Sequence, residues 1–157
     1  MSRERHYLYL FLSVLLAATA VRIWFIDASG LNLSPDEAHY WEWSRRPDLS
    51  YYSKGPMVAY LILISTRLGG NTELFVRLPA VLLSSGALPL LYLLSLKLFN
   101  SHRLATLSAL TALFVPLYAA GSILMTIDPP FIFFWLLTAY LAFSALKGSP
   151  DSYRAWP

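Results

Sequence analysis

The residues of this chain that could do chemistry lie in a few short polar segments. The first is LSPDEAHYW at residues 33–41, where Asp36 and Glu37 stand side by side and His39 follows closely. Ionised carboxylates accept protons and bind cations, so this pair could serve as a general base or as part of a metal site. The same residues are also typical of a helix start, so the segment is either a chemical site or a helix cap.

A capping pattern explains Glu37 but leaves Asp36 open. Ser34, Pro35 and Glu37 fit the N-cap, first and third positions of a capping box, in which Glu37 bonds back to the Ser34 backbone N–H. Asp36, at the second position, either complements the helix dipole or points free into a loop. His39 could share a divalent metal with Asp36 or be a solvated interfacial residue.

The segment YYSKGP at residues 51–56 contributes a cation and an aromatic ring. The ammonium group of Lys54 suits a lipid phosphate or pyrophosphate, and Tyr52 lies close to it in sequence. The alternative is that Lys54 only extends its charge to the membrane interface. The segment therefore predicts phosphate binding or interfacial anchoring.

Two more charged residues stand at the edges of apolar runs. Arg77, within FVRLP, needs a carboxylate partner or a phosphate, because an unpaired charge in an apolar run is costly. Asp128, within TIDPP, is a good helix cap and also a candidate cavity residue. Asn71 is the expected cap of the helix that carries Arg77.

The composition places these segments in a membrane. Of 157 residues, 57% are hydrophobic and 13% charged, and the apolar runs are long enough to cross a bilayer. Four transmembrane helices are predicted, at residues 7–26, 74–98, 104–125 and 130–146. The first could instead be a signal peptide, but its apolar run continues past the small residues at 18–20. There is no cysteine, and no basic block indicates nucleic-acid binding.

The loop at residues 27–71 predicts two interfacial helices, at about 35–45 and 56–68. The second is too short to cross a membrane. If it does not cross, all basic clusters fall on the cytoplasmic side, as the positive-inside rule requires. These clusters lie at residues 3–5, 97–103 and 147–154. The polar segments then share the extracytoplasmic face.

Taken in order, these motifs resemble the protein O-mannosyltransferase family, which includes the bacterial transferase that adds aminoarabinose to lipid A. The matching elements are Asp36-Glu37, Tyr-x-x-Lys-x-Pro at 51–56, Phe-Val-Arg-Leu-Pro at 75–79 and Thr-x-Asp-x-Pro at 126–130. The resemblance covers about residues 21–146. It implies an all-α integral membrane glycosyltransferase of the GT-C fold that uses a polyprenyl-phosphate-linked sugar.

The resemblance also implies roles for the candidate residues. Asp36 would be the general base on an acceptor hydroxyl, with inversion at the anomeric carbon and a lipid phosphate as leaving group. Glu37 would assist Asp36 or hold the loop. The substrate- and phosphate-binding residues would be Lys54, Arg77, Tyr52 and Asp128. The implied partners are the lipid-linked donor, membrane lipids and a protein, glycan or lipid acceptor, and a divalent metal ion is left open.

Two features separate this chain from the family pattern. The lipid A enzymes have Glu-Lys-Pro-Pro where this chain has Ser53-Lys54-Gly55-Pro56, so a contact made by that glutamate is missing. Family members run to several hundred residues, so the chain is expected to be the N-terminal module of a longer protein and inactive alone. The competing interpretation is a non-catalytic scaffold, transporter piece or lipid-binding module whose carboxylates only cap helices.

Overall fold

A computed structural model of the protein describes residues 3–52 and 54–147. Within that part of the chain there are seven helices, and the only other regular pairing is a single bridge between Tyr51 and Lys54. The helices are α1 (Arg3–Ser29), α2 (Pro35–Ser44), α3 (Met57–Gly69), α4 (Glu73–Phe99), α5 (His102–Phe114), α6 (Pro116–Gly121) and α7 (Asp128–Lys147). Ser53 and residues 148–154 of the last basic cluster lie outside the described residues.

Helices α1, α4 and α7 are each long and apolar enough to cross a membrane. Helix α4 is the central one, since it packs against α1, α3, α5 and α7. Helix α3 is apolar but has only 13 residues, too few for the roughly 20 that a crossing requires. The predicted all-α membrane architecture is confirmed.

The segment predicted as one span at residues 104–125 is instead two helices. Helix α5 ends at Phe114, and α6 begins at Pro116. Val115 between them is extended, with φ −67° and ψ 121°, because the ring of a following proline disfavours the helical conformation. Pro79 and Pro89, by contrast, lie inside α4, which continues through both.

The ends of α4 are fixed by side chains that suit them. Thr72, not Asn71, is the N-cap, because its hydroxyl accepts the Phe75 N–H at 3.4 Å. The side chain of Asn71 is used elsewhere, accepting the Trp41 indole N–H at 3.2 Å. At the other end Asn100 adopts the left-handed conformation, with φ 49°, which asparagine tolerates better than most residues.

Two clusters of buried apolar side chains hold the helices together. The membrane cluster joins α1, α4 and α5 through Phe11, Leu88, Tyr92, Ala105, Ala109 and Leu113. The loop cluster joins α2, α3, α4 and the segment before α7 through Tyr40, Val58, Ile62, Val76, Ala80 and Met125. The loop cluster fixes α2 and α3 against the start of α4.

Long-range contacts show which helix ends lie together. Arg77, near the start of α4, donates to carbonyls in the loop that follows α1. At the opposite end Thr106 donates to the Tyr7 carbonyl, and Lys97 donates to Ser144. The polar segments therefore lie at one end of the helices and the 97–103 basic cluster at the other.

Candidate functional site

A buried ion pair lies at the centre of the polar end of the molecule. The Arg77 Nη2 atom is 2.8 Å from Glu37 Oε2, and Arg77 Nε donates to Glu37 Oε1 at 2.9 Å. The side chains are 4% and 0% exposed. A two-point contact of this kind fixes the orientation of both groups as well as neutralising their charges.

The pair also satisfies four backbone groups. Glu37 accepts the Ser34 N–H at 2.9 Å and the Met125 N–H at 3.0 Å. Arg77 donates to the carbonyls of Leu31 at 3.0 Å and Asn32 at 2.9 Å. The ion pair therefore ties the loop after α1, the start of α2, the start of α4 and the segment before α7 together.

The balance of forces on Glu37 favours its charged form. Burial by itself would raise the pKa of this carboxyl group. The hydrogen bonds from Arg77, Ser34 and Met125 outweigh burial and hold the Glu37 pKa below its ordinary value. Glu37 is thus an ionised, fully bonded part of the framework.

This geometry shows which contacts Arg77 and Glu37 make. Arg77 takes the ion-pair role, and the donors of its guanidinium that contact Glu37 and two carbonyls are turned away from solvent. Glu37, expected as a second catalytic carboxylate, has both oxygens engaged. Both side chains are almost fully buried in this conformation.

The capping box predicted at Ser34 is present. The Ser34 hydroxyl accepts the Glu37 N–H at 3.4 Å, and Pro35 opens the helix. Because Glu37 serves both the cap and the ion pair, its neighbour Asp36 is held at a fixed backbone position. The Asp36 side chain is nevertheless exposed, which leaves its carboxylate available for chemistry.

Lys54 lies within electrostatic reach of two exposed carboxylates. Its ammonium donates to the Tyr40 hydroxyl at 2.7 Å, and the turn that carries it is closed by the Tyr51–Lys54 bridge. The hydrogen bond to Tyr40 raises the Lys54 pKa despite desolvation, and the negative charges of Asp36 and Asp128 raise it further. Two acids that are 92 positions apart in the chain thus act on one cation.

Asp128 lies in the first turn of α7, with its carboxylate exposed. It accepts the Thr126 hydroxyl at 2.9 Å, and the same hydroxyl accepts the Asp128 N–H at 3.3 Å. This local bond orders the start of the helix. It still leaves carboxylate oxygen for other partners, because an ionised carboxylate has about four acceptor positions.

Two other predicted residues lie at the edge of this site. Tyr52 is fully exposed on the turn before Lys54. The exposed ring of His39 lies 4.5 Å from that of Trp43. Among residues 3–52 and 54–147, no three histidine, aspartate or glutamate side chains come together as a metal-binding group.

Two spaces flank the start of α7. A groove of about 460 Å³ runs between the starts of α3 and α7, and its lining is mostly apolar. It is lined by Gly55, Pro56, Met57, Val58, Ile127, Pro130, Phe131, Phe134, Trp135 and Thr138. A second space, the α6 cavity of about 330 Å³, has Asp128 in its lining together with Ser84, Tyr118, Gly121 and Ser122.

Comparisons with known proteins bear on this arrangement. The sequence pattern of the family described as dolichyl-phosphate-mannose-protein mannosyltransferase matches residues 53–157. The lipid A galacturonosyltransferase RgtD of Rhizobium johnstonii is 31% identical over 136 residues. That alignment covers 86% of this chain and 28% of the relative, so the chain spans less than a third of that protein's length. No solved structure matches.

Proposed function

Because this chain belongs to the dolichyl-phosphate-mannose-protein mannosyltransferase family, whose members are GT-C membrane glycosyltransferases, we propose that it carries the catalytic end of such an enzyme. The reaction is transfer of a sugar from a polyprenyl-phosphate donor to an acceptor hydroxyl. The observation that carries this proposal is the placement of the Lys54 ammonium within electrostatic reach of two exposed carboxylates, Asp36 and Asp128.

Asp36 is the general base. The acceptor oxygen forms a bond to the anomeric carbon while the bond from that carbon to the phosphate oxygen breaks, so the configuration inverts. The acceptor proton passes to Asp36, and the phosphate leaves with the electron pair. A carboxylate held on a fixed backbone at the rim of the site suits this role, because base catalysis depends on geometry before acidity.

Lys54 is the cation for the phosphate. A departing lipid phosphate gains negative charge in the transition state, and a preorganised ammonium stabilises that charge. The Tyr40 hydroxyl fixes the ammonium position, and the raised Lys54 pKa keeps it protonated. Asp128, whose charge acts on Lys54, orients either Lys54 or the acceptor.

The groove between α3 and α7 accommodates the prenyl chain of the donor. Its lining starts at Gly55, directly after Lys54, and continues along α7 past Phe131, Phe134 and Trp135. These three rings are exposed in the described part of the chain, at 65%, 44% and 63%. An apolar groove that begins beside an ammonium matches a ligand with an anionic head and an apolar tail.

We place this site on the extracytoplasmic face. Helix α4 runs from the polar end to the basic 97–103 cluster, so α5 and α6 together must return across the module before α7 begins. Residues 102–121, at about 1.5 Å each, span roughly the 30 Å of a bilayer core. The basic clusters then lie on the cytoplasmic side. Cysteines at positions 50 and 128 are expected to react with an impermeant reagent from outside, whereas labelling of position 128 from the cytoplasm would contradict this topology.

The name of the relative assigns it transfer of galacturonic acid to lipid A, an acceptor that is itself a lipid. For this chain we propose sugar transfer from a polyprenyl-phosphate donor to a hydroxyl of a protein, glycan or lipid.

The test is sugar transfer by the complete gene product in proteoliposomes. Asp36→Asn should lower turnover by about 10²- to 10⁴-fold, the usual worth of a general base, with membrane insertion unchanged. Glu42→Gln is the matched control, because Glu42 is an exposed acid on the same helix, and it should retain turnover within about twofold. If the carboxylates only cap helices, Asp36→Asn will be silent and Ser34→Ala will do more harm.

A further inference from the structure

The turn that carries Lys54 is attached to α2 through the side chain of Tyr51. The Tyr51 hydroxyl lies 3.0 Å from the carbonyl oxygens of both Trp43 and Arg46. It also accepts the Asp48 N–H at 3.1 Å. Because a phenol hydroxyl both donates and accepts, three backbone groups from residues 43–48 meet at this one oxygen. The hydroxyl therefore joins the end of α2 to the loop that follows it.

The Tyr51 ring adds a second attachment to α2. Its centre lies 4.5 Å from that of the Trp43 ring, and the two planes differ by only 4°. Stacked aromatic pairs at this distance contribute more than the area that they bury. The Trp43 ring lies 5.5 Å from that of Tyr40 on the same helix. Trp43 therefore links Tyr51 to the residue whose hydroxyl accepts the Lys54 ammonium.

Tyr51 and Lys54 are also joined directly by their backbones. The N–H of each donates to the carbonyl oxygen of the other at 3.3 Å. Tyr52 in the same turn is fully exposed, so the turn does not gain its position by burying that ring. The backbone of Lys54 is thus placed by Tyr51, which stacks on Trp43, while its ammonium is placed by Tyr40 at 2.7 Å. Both ends of Lys54 are held by residues of α2.

The same helix carries Asp36 in its first turn. In an inverting displacement the base and the leaving phosphate lie on opposite sides of the anomeric carbon, so the separation of base and cation matters. A misplacement of about 1 Å can cost about 10²-fold in rate. We propose that Tyr51 is a positioning residue for this reaction, which couples Lys54 to the helix that carries Asp36. This inference rests on the proposed function for the roles of Lys54 and Asp36.

A second tyrosine provides a matched control. Tyr60 of α3 donates its hydroxyl to the Asp48 carbonyl at 2.8 Å, so it holds the same loop from the other side of the sequence. The backbone bridge to Lys54 belongs to Tyr51. If Tyr51 only stabilises the loop, loss of either tyrosine hydroxyl should have the same effect. If Tyr51 positions Lys54, only variants at position 51 should change the binding of phosphate.

Binding by the complete protein in nanodiscs tests this without a known sugar. The probes are undecaprenyl phosphate and undecaprenol, and the ratio of their affinities is the phosphate preference. Lys54→Gln should lower this preference about tenfold, because a charge-assisted contact is lost. Tyr51→Leu should lower it about fivefold, and Tyr51→Phe, which keeps the ring stack, about threefold. Tyr60→Phe should change it by less than about 1.5-fold. A general loss of folding would weaken both probes equally and leave the ratio unchanged.

The double variant Tyr51→Leu with Lys54→Gln shows whether Tyr51 acts through Lys54. Its phosphate preference should match that of Lys54→Gln alone within about twofold, because coupled residues do not have additive effects. Additive losses, or equal effects of Tyr51→Phe and Tyr60→Phe, would overturn the inference. A normal loss in Lys54→Gln with silent variants at position 51 would overturn the inference and leave the proposed function standing. An unchanged preference in Lys54→Gln would instead remove Lys54 from the proposed function.

Discussion

Two arginines in this module are buried to almost the same degree but in different surroundings. Arg77 is 3% exposed and Arg22 is 6% exposed. Arg77 makes two hydrogen bonds to Glu37 and two to backbone carbonyls, whereas Arg22 meets the face of Tyr118 and has one nitrogen without an acceptor. Burial alone therefore does not define what a charged residue does.

The difference lies in which groups the fold supplies. Around Arg77, the loop after α1 and helix α2 provide four hydrogen-bond acceptors. These bonds hold that loop and α2 against the start of α4. Around Arg22, the described residues supply an aromatic ring and no carboxylate. The first arginine is part of the framework, whereas the second has a buried nitrogen without an acceptor in the described residues.

The largest expected effect follows from breaking the paired arginine. Arg77→Leu leaves the Glu37 carboxylate buried without a counter-charge, which should cost about 3–5 kcal/mol in the free energy of unfolding. Denaturant unfolding of the purified protein in micelles would measure it. The double variant Glu37→Leu with Arg77→Met should recover part of the loss, because no buried charge then remains. The rest of the loss persists because the backbone groups that the pair satisfied lose their partners. A single-variant loss under about 1 kcal/mol would show that the pair does not hold the framework.

Acidification provides a second way to break the same pair. The Glu37 pKa is held below its ordinary value, so its contribution to stability is complete above the unfolded pKa of about 4.3. It is lost as the pH falls from that value through the lower folded pKa. Wild type should lose stability in this acid range, and Glu37→Gln should lose less. Parallel pH profiles of the two proteins would contradict the assignment.

The third prediction concerns Lys54, a partly exposed cation within electrostatic reach of Asp36 and Asp128. Lys54→Gln should raise the KM for a polyprenyl-phosphate donor roughly tenfold, since it removes a charge-assisted contact with phosphate. Lys54→Arg should lie between wild type and Lys54→Gln, because charge is kept but the position changes. Steady-state kinetics with varied donor would show this, and an unchanged KM would remove Lys54 from the donor site.

The smallest effect is expected at the unpaired arginine. Arg22→Leu removes a buried charge that has no ion partner in the described residues, so the free energy of unfolding should stay within about 1 kcal/mol of wild type or increase. The measurement is the same micelle unfolding used for Arg77→Leu. Comparable losses for the two variants would mean that Arg22 is also framework, and the contrast between them would disappear.

Much of this arrangement could be predicted from local sequence signals. The capping box at Ser34 set the start of α2, because side chains near a helix end bond to its first N–H groups. Apolar runs located α1, α4 and α7, whose lengths match a bilayer. The ion pair of Arg77 with a carboxylate was also among the expected outcomes, since a charge in an apolar run requires a partner.

The remaining features depend on contacts that no local pattern carries. The bond from the Met125 N–H to Glu37 spans 88 positions and uses a backbone group that every residue type except proline has. The break at Val115 had a signal in Pro116, but the continuous apolar run around it favoured one helix. The surroundings of Arg22 in the described part of the chain could not be predicted, because they depend on a residue far along the chain, Tyr118.

One measurement tests the central claim most directly: donor binding and turnover determined on the same preparation of Asp36→Asn. If Asp36 is the base, the donor should bind within about threefold of wild type while turnover falls by about 10²-fold or more. Turnover near the wild-type rate would contradict the account, and so would a loss of turnover that is matched by an equal loss of donor binding.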